Sequence, residues 1–488
     1  MSEYIVKKLP RVEGTIKVAL QRSTEQQVIY LESGRSTHLE NRLIGRYPLE
    51  AIHQTQLLSS KSGIAHALAA VTALENYLNI KPTEISVNIR QLLLQVSTIH
   101  SHIHHFYWEL LPDYLNITHF IDGLAQKQRS YLDFTPEKEK PGDLSKKAGQ
   151  EILENVSKAA ETLGHLQMAM AELGGKYPVV MNLIPGGISN SAFNRSIFMS
   201  LIRHLEQVKY FVEVLWPEDI KTFVQNVPNA ANVLVRNINL LSFGSSGIGG
   251  DIRDKYATYS DGVFIDGKLS PVNELKITES FDHTFFQPVD KNSDSGELRF
   301  NFQKTDARTW IRGARYESSP ILAGPLSRML VTHFAGGNME ISDRLGQMMD
   351  DLNLSVDSPN CAATRLLAAV FEGRFYLKGA LNILLDLDEV TPINNDVNFD
   401  FSEDGVGIGK IEAPSGALMH RVFIEENKIV QYRIVSAANW NLSPGDEYGK
   451  MGIIEQELNI LNEGEKLSAA TASRHLHSYH VQVMDGTK

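Results

Sequence analysis

Between residues 85 and 110 the apolar side chains Ile85, Ile89, Leu92, Val96, Ile99, Ile103, Phe106 and Leu110 recur at steps of three and four. That is the period of one long α-helix, and a helix so continuously apolar has to be enclosed by other elements. The architecture is therefore helical at its centre. The same spacing predicts helices beginning at Ile64 and running through Leu68, Val71 and Leu74, from about Gln150 to Leu173 with a stop at Gly174-Gly175, from about Ser191 to Val214, and over Phe371–Leu387. Period-two alternation at Ile16, Val18 and Leu20, followed by Val28–Leu31, predicts a hairpin, and Val422–Val435 predicts a second one turning near Glu426-Asn427. The expected class is α+β, helix-dominant: a helical bundle with small peripheral β-hairpins and sheets. The expected organisation is a single unit over 1–488. It comprises an N-terminal hairpin region (about 1–50), a helical core (about 55–215), a mixed region (about 216–390) and a C-terminal hairpin with a closing tail (about 391–488). The polar stretch Asp133–Lys147 and the glycine-rich Ser242–Arg253 read as loops, too short to be interdomain linkers.

Composition narrows the chemistry. A net charge of −11 argues against nucleic acid, whose phosphates need a basic surface. No apolar run approaches the roughly 20 residues that span a bilayer. Met1 to Lys8 lack the apolar centre of a secretory signal, so the cytoplasm is the expected location, with export alongside a partner chain as the alternative. Cys361 is the one cysteine of 488 residues, which excludes an intramolecular disulfide and any metal site built from several thiolates of this chain. Its Pro-Asn-Cys-Ala-Ala setting matches no nucleophile motif and reads as a buried structural thiol.

A family resemblance rests on motifs in a fixed order along nearly the whole chain. They begin with Arg11-Val12-Glu13-Gly14, then Glu40, Gly45-Arg46, and Thr55-Gln56-Leu57-Leu58-Ser59-Ser60-Lys61-Ser62-Gly63-Ile64-Ala65-His66-Ala67-Leu68-Ala69. Ser101-His102-Ile103-His104-His105-Phe106-Tyr107 and Leu111-Pro112-Asp113 follow, then Gly174-Gly175-Lys176-Tyr177-Pro178 and Pro185-Gly186-Gly187. After these come Lys276-Ile277-Thr278-Glu279 with His283, Trp310, Arg315-Tyr316 and Gly324-Pro325-Leu326. Glu412-Ala413-Pro414-Ser415-Gly416 with His420, Asn439-Trp440-Asn441-Leu442-Ser443-Pro444, and the tail His480–Lys488 close the series. Together they resemble the large subunit of nickel–iron hydrogenases, in a divergent form that lacks all four metal-binding cysteines.

The resemblance implies a family site in which four thiolates hold nickel and iron. Here those positions read Ser59, Ser62, Gln482 and Asp485, and Lys488 stands where the family has a terminal histidine. Thiolates are soft anions suited to these metals, whereas a serine hydroxyl is hard and neutral. Neighbouring positions differ too: Ser101 and Ser415 stand for an aspartate and an arginine, Ala437-Ala438 or Ala438-Asn439 for a Pro-Thr/Ser pair, and His480 for an aspartate. Glu13 matches a proton-passing glutamate and is the candidate proton-transfer residue. Glu40 matches a magnesium ligand, and an ion pair with Lys488 is the expected replacement for that metal. The chain ends in the register of the family's processed terminus, which implies no extension to be clipped. His66, His480, Asp485 and Glu13 could form a residual metal site, but these positions were arranged for another purpose. No metal or cofactor is expected in this chain. The histidines His100 and His104 share one helical face and His102 and His105 another, where hydrogen bonding in the core is the expected role. His475, His477 and His480 are expected to pack against the former site.

The implied partner is an iron–sulfur small subunit of hydrogenase type, within a larger assembly. Hydrogen activation is not expected. The leading expectation is a subunit of a redox (electron-transfer) complex whose emptied cavity takes an organic redox substrate. The alternative is a non-catalytic scaffold or sensory paralogue, and a metalloenzyme with unusual ligands comes last.

Overall fold

The apolar periods become two consecutive central helices, α1 (Gly63–Leu78) and α2 (Glu84–His104), both buried along most of their length. Asn79 ends α1 in the left-handed region, and the Thr83 hydroxyl opens α2 by accepting the Ser86 N–H. The single helix expected to reach Leu110 keeps its direction but widens into π-helical turns over His105–Leu110. The computed structural model describes residues 3–22, 27–34, 38–115, 144–189, 195–244, 259–288, 298–387, 399–446, 448–464 and 466–483. Most of the Asp133–Lys147 and Ser242–Arg253 segments lies outside these, as do Asp485 and Lys488.

Further helices surround α1 and α2. The helix expected from Gln150 is two: a short one over Lys146–Glu154, then α3 (Val156–Gly174) after a break at Asn155, whose amide donates to Asp219 at 2.9 Å. Lys146 and Lys147 thus belong to a helix rather than to the polar loop. Next come α4 (Arg195–Tyr210), α5 (Pro325–Phe334) and α6 (Ala362–Asp386). α6 starts well before the expected Phe371, because its first turns carry alanines, which pack closely but give little apolar contrast. Cys361 caps it in a reciprocal pairing with Thr364. α7 (Ile453–Gly464) and α8 (Ala469–His477) lead to the tail. α2 lies against α6 and α3, and α3 against α4.

The expected N-terminal hairpin gains a strand: β1 (Glu3–Val6), β2 (Ile16–Arg22) and β3 (Gln27–Ser33) pair antiparallel in that order. β4 (Leu240–Phe243), β5 (Asp261–Ile265) and β6 (Lys268–Ser270) form a second small sheet, and β7 (Ile277–Ser280) pairs with β8 (Gly313–Tyr316). The expected C-terminal hairpin is β10 (Gly416–Glu425) with β11 (Lys428–Val435), turning at Glu426 and Asn427, both at positive φ as a tight primed turn requires. β9 (Gly405–Ala413) extends it to three strands in the order β9-β10-β11. Glycines hid β9 from the sequence reading, and packing explains them: a Cβ at Gly407 or Gly409 would lie 2.0 Å from the carbonyl oxygen of Ala73 or Ala69 on α1. The bundle and its edge sheets give the expected helix-dominant α+β fold. Among the described residues no helix is long and apolar enough to cross a membrane.

Candidate functional site

Three chain segments meet beside the N-terminus of α1. One is the loop before β2, which carries Glu13. The second is the turn Gln56–Ser62, closed so tightly that a Cβ at Gly63 would approach the Gln56 carbonyl oxygen to 2.8 Å. The third is the tail beyond α8, where His480 takes φ 53° and the Val483 N–H donates to the Glu13 carbonyl at 3.2 Å. The tail is anchored upstream by Asp113, which accepts from Ser473 Oγ at 2.8 Å and His477 Nδ1 at 2.6 Å and pairs with Arg11. Burial alone would raise the Asp113 carboxyl, but His477, Arg11 and these hydrogen bonds outweigh it and hold its pKa down at about 2.

These segments bring Ser59, Ser62 and Gln482 together, all three buried. Ser62 Oγ donates to Gln482 Oε1 at 2.7 Å, and Ser59 Oγ, 3.4 Å from the same oxygen, donates more closely to Glu13 Oε2 at 2.5 Å. The other Glu13 oxygen accepts the Ser60 N–H at 2.7 Å and the Ser60 hydroxyl. Gln482 Nε2 donates to His480 Nε2 at 3.1 Å, where the Ser101 hydroxyl also arrives at 3.2 Å. Receiving both donors makes that nitrogen the acceptor of a neutral ring, and burial pushes the His480 pKa well down. Ser59, Ser62, His66, Ser415, Ser436 and Gln482 line the polar part of a remaining cavity of about 20 Å³. That is room for about one water.

His66 turns from Glu13 toward the sheet, where its Nδ1 lies 2.9 Å from His420 Nε2, and His420 Nδ1 meets the Tyr432 hydroxyl at 2.9 Å. Burial lowers His66 to about 3 and His420 well below the usual range, so both rings are neutral. Of the proposed residual metal set, His66, His480 and Glu13 are thus committed to separate partners, and Asp485 lies outside the described residues. Among the described residues no three His, Cys, Asp or Glu side chains gather as a metal site.

Glu40 is held by partners the sequence reading did not name. Arg312 binds it with two nitrogens, at 2.6 and 2.7 Å, and gives its Nε to Glu279 at 2.7 Å, while the Ile434 N–H donates to Glu40 at 2.7 Å. Among the described residues the Arg312 guanidinium supplies positive charge to Glu40, and the expected Glu40–Lys488 pair lies outside the described residues. Of the three late histidines, His480 faces the site and stacks on His105 with ring centres 4.1 Å apart. His475 instead meets Glu457 of α7 at 2.7 Å, and His477 meets Asp113, the tail's anchor, at 2.6 Å. His102 and His105 are core hydrogen-bonders, to Glu372 at 2.7 Å and to the His477 carbonyl at 2.6 Å.

The sequence reading passed over several buried charges here. Lys61, between the two serines, pairs with Glu109, and burial lowers its pKa to about 8 against the attraction of Glu13. Arg328 bridges Glu372 (2.8 and 2.5 Å) and Glu412 (2.6 Å) behind His102. The available signal was charge inside apolar helical periods, Arg328 between Leu326 and Leu330 and Glu372 beside Phe371, since a buried charge requires a partner.

The family model for nickel-dependent hydrogenases matches residues 38–162 and 150–480, and the chain belongs to that family. It is 27% identical over 466 residues to the periplasmic [NiFeSe] hydrogenase large subunit of Desulfomicrobium baculatum, covering 92% of this chain and 88% of the relative. It is 24% identical over 567 residues to the quinone-reactive Ni/Fe-hydrogenase large chain of Wolinella succinogenes, covering 99% and 96%. Among solved structures, the [NiFeSe] hydrogenase of D. vulgaris Hildenborough superposes with TM-score 0.84 at 21% identity, and that of Dm. baculatum with 0.80 at 23%, over 100% of this chain and 99% of each neighbour. Large subunits of this family pair with a small subunit.

Proposed function

We propose that this chain is a hydrogenase large-subunit-like protein without a nickel–iron site, serving as a non-catalytic subunit that assembles with an iron–sulfur small subunit. The observation that carries this reading is the closed hydrogen-bond set of Ser59, Ser62, Gln482, Glu13 and His480 around a cavity of about 20 Å³. The donor set does not fit a nickel–iron cluster: two hydroxyls and an amide are neutral, hard and satisfied by one another. The fit to magnesium at Glu40 fails for a related reason, since a guanidinium already takes both carboxylate oxygens.

The same room favours the scaffold over a redox pocket. An organic substrate needs a site of several hundred Å³ with convergent polar groups, and the space beside Gln482 is far smaller. Glu13, the candidate proton carrier, receives three hydrogen bonds and acts as a structural acceptor for the serine turn.

The test is native purification with identification of the co-eluting chains. The expected result is a stable complex with an iron–sulfur small subunit that reduces no electron-accepting dye under hydrogen. Elution of this chain alone, or hydrogen-dependent dye reduction, overturns the reading.

A further inference from the structure

The β9–β11 sheet has two faces with different surroundings. His420, Val422 and Ile424 of β10 and Tyr432 and Ile434 of β11 are buried against the core. The alternate residues, among them Met419, Arg421, Phe423, Gln431 and Arg433, floor a groove of about 910 Å³ on the opposite face, walled by β7 and by Asp446 and Tyr448.

The register sets Arg421 directly across from Arg433. Like charges in that relation repel; Glu279 and Glu40 attract Arg433, which leaves Arg421 as the cation of the pair whose charge no carboxylate answers among the described residues. The groove also holds the carboxylates Glu274, Glu279, Asp282 and Asp446, and each is engaged, Asp282 by the Ser280 hydroxyl at 2.7 Å. Glu274 pairs with Lys410, Glu279 with Arg312, and Lys304 donates to the Phe281 carbonyl at 2.8 Å. Arg315 is spent on Ser443, the Pro444 carbonyl and Asp446. Arg421 differs: its guanidinium lies 4.6 Å over the Phe423 ring, and its Nε is buried without a hydrogen-bond partner. It has no ion-pair partner among the described residues. A desolvated donor left unpaired is unfavourable, and a planar guanidinium fork suits a carboxylate.

The rim adds a second observation. Leu275 and Tyr448, both lining the groove, are 82% and 75% exposed. Both side chains offer apolar surface at the groove's edge for a bound polypeptide to pack against. We propose that this groove docks an acidic segment of a partner polypeptide, with one carboxylate received by Arg421 and flanking apolar side chains set against Leu275 and Tyr448. The chain's net charge of −11 repels acidic partners elsewhere, so the attraction is local. The groove lies on the face of the sheet away from His420 and the serine–glutamine cavity, and the inference stands whether or not that cavity holds metal.

The test is titration of the full-length protein, followed by calorimetry, with three probes: a synthetic peptide alternating leucine and glutamate, the same peptide with glutamine for glutamate, and succinate. The expected result is saturable binding of the acidic peptide alone, weakened about tenfold or more by Arg421→Gln, as loss of one desolvated charge-assisted contact implies. Leu275→Ser, a change at a solvent-exposed position that leaves folding intact, is expected to weaken it several-fold. Equal binding of the two peptides, or unchanged affinity in both variants, overturns the proposal. Binding of succinate as tight as that of the acidic peptide also overturns it, since the groove is then a small-anion site.

Discussion

Gln482 is the residue on which the tail closes. Its amide joins Ser62 on one side and His480 on the other, so truncation leaves the Ser62 hydroxyl without its acceptor and removes one of the two donors to His480 Nε2. Gln482→Ala is expected to destabilise the protein by about 1–3 kcal/mol. The check is a lower denaturant midpoint at unchanged slope, and an unchanged midpoint contradicts the network. Arg328→Leu is expected to cost more, about 3–5 kcal/mol, because Glu372 and Glu412 stay buried without their cation. Both predictions concern positions of unequal visibility. Motif spacing in the sequence singled out Ser59, Ser62 and Gln482, which the fold brings within hydrogen-bonding distance. Arg312 could not be paired with Glu40 by inspection: the two lie 272 positions apart, and nothing in a local pattern records so distant a contact.

Helices with strong periods were legible in the sequence, and elements made of small residues were not. α2 and the β10–β11 hairpin follow directly from apolar spacing, whereas β9 was missed because its glycines serve contact with α1 rather than strand propensity. That contact gives a paired prediction of opposite sign. Gly409→Ala forces a methyl against the Ala69 carbonyl oxygen and is expected to destabilise by about 1–3 kcal/mol or more. Gly164→Ala, within α3 with nothing near the added Cβ, is expected to stabilise by about 0.5–1 kcal/mol. Thermal unfolding of Gly409→Ala decides whether β9 sits on α1 as described, with Gly164→Ala as the helical control of opposite sign. The anchor of α8 gives a pH prediction. The Asp113 pKa is depressed in the fold, to about 2 from 3.8, so its stabilisation is present above about pH 4 and is lost as pH falls toward 2. Asp113→Asn is expected to flatten stability against pH across that window, and an unchanged acid limb contradicts the anchor.

At the scale of the whole molecule, family membership and fold were legible because the motifs keep their order along nearly the whole chain. Ser59, Ser62 and Gln482 come together as the alignment of motifs implied, yet they bond one another and leave room for about one water. A fold of this size keeps such a closed, hydrogen-bonded centre at little cost, since Ser59, Ser62, Gln482, Glu13 and His480 each have a partner there. The surface is the part sequence could not supply: the Arg421–Arg433 pairing depends on strand register across a turn. The central claim, that the large-subunit fold persists around a centre unsuited to metal, is tested most directly by quantifying nickel in the natively purified complex with its small subunit attached. The account predicts nickel far below one atom per chain. One nickel atom per chain, lost together with hydrogen-dependent dye reduction on replacement of Gln482, contradicts it.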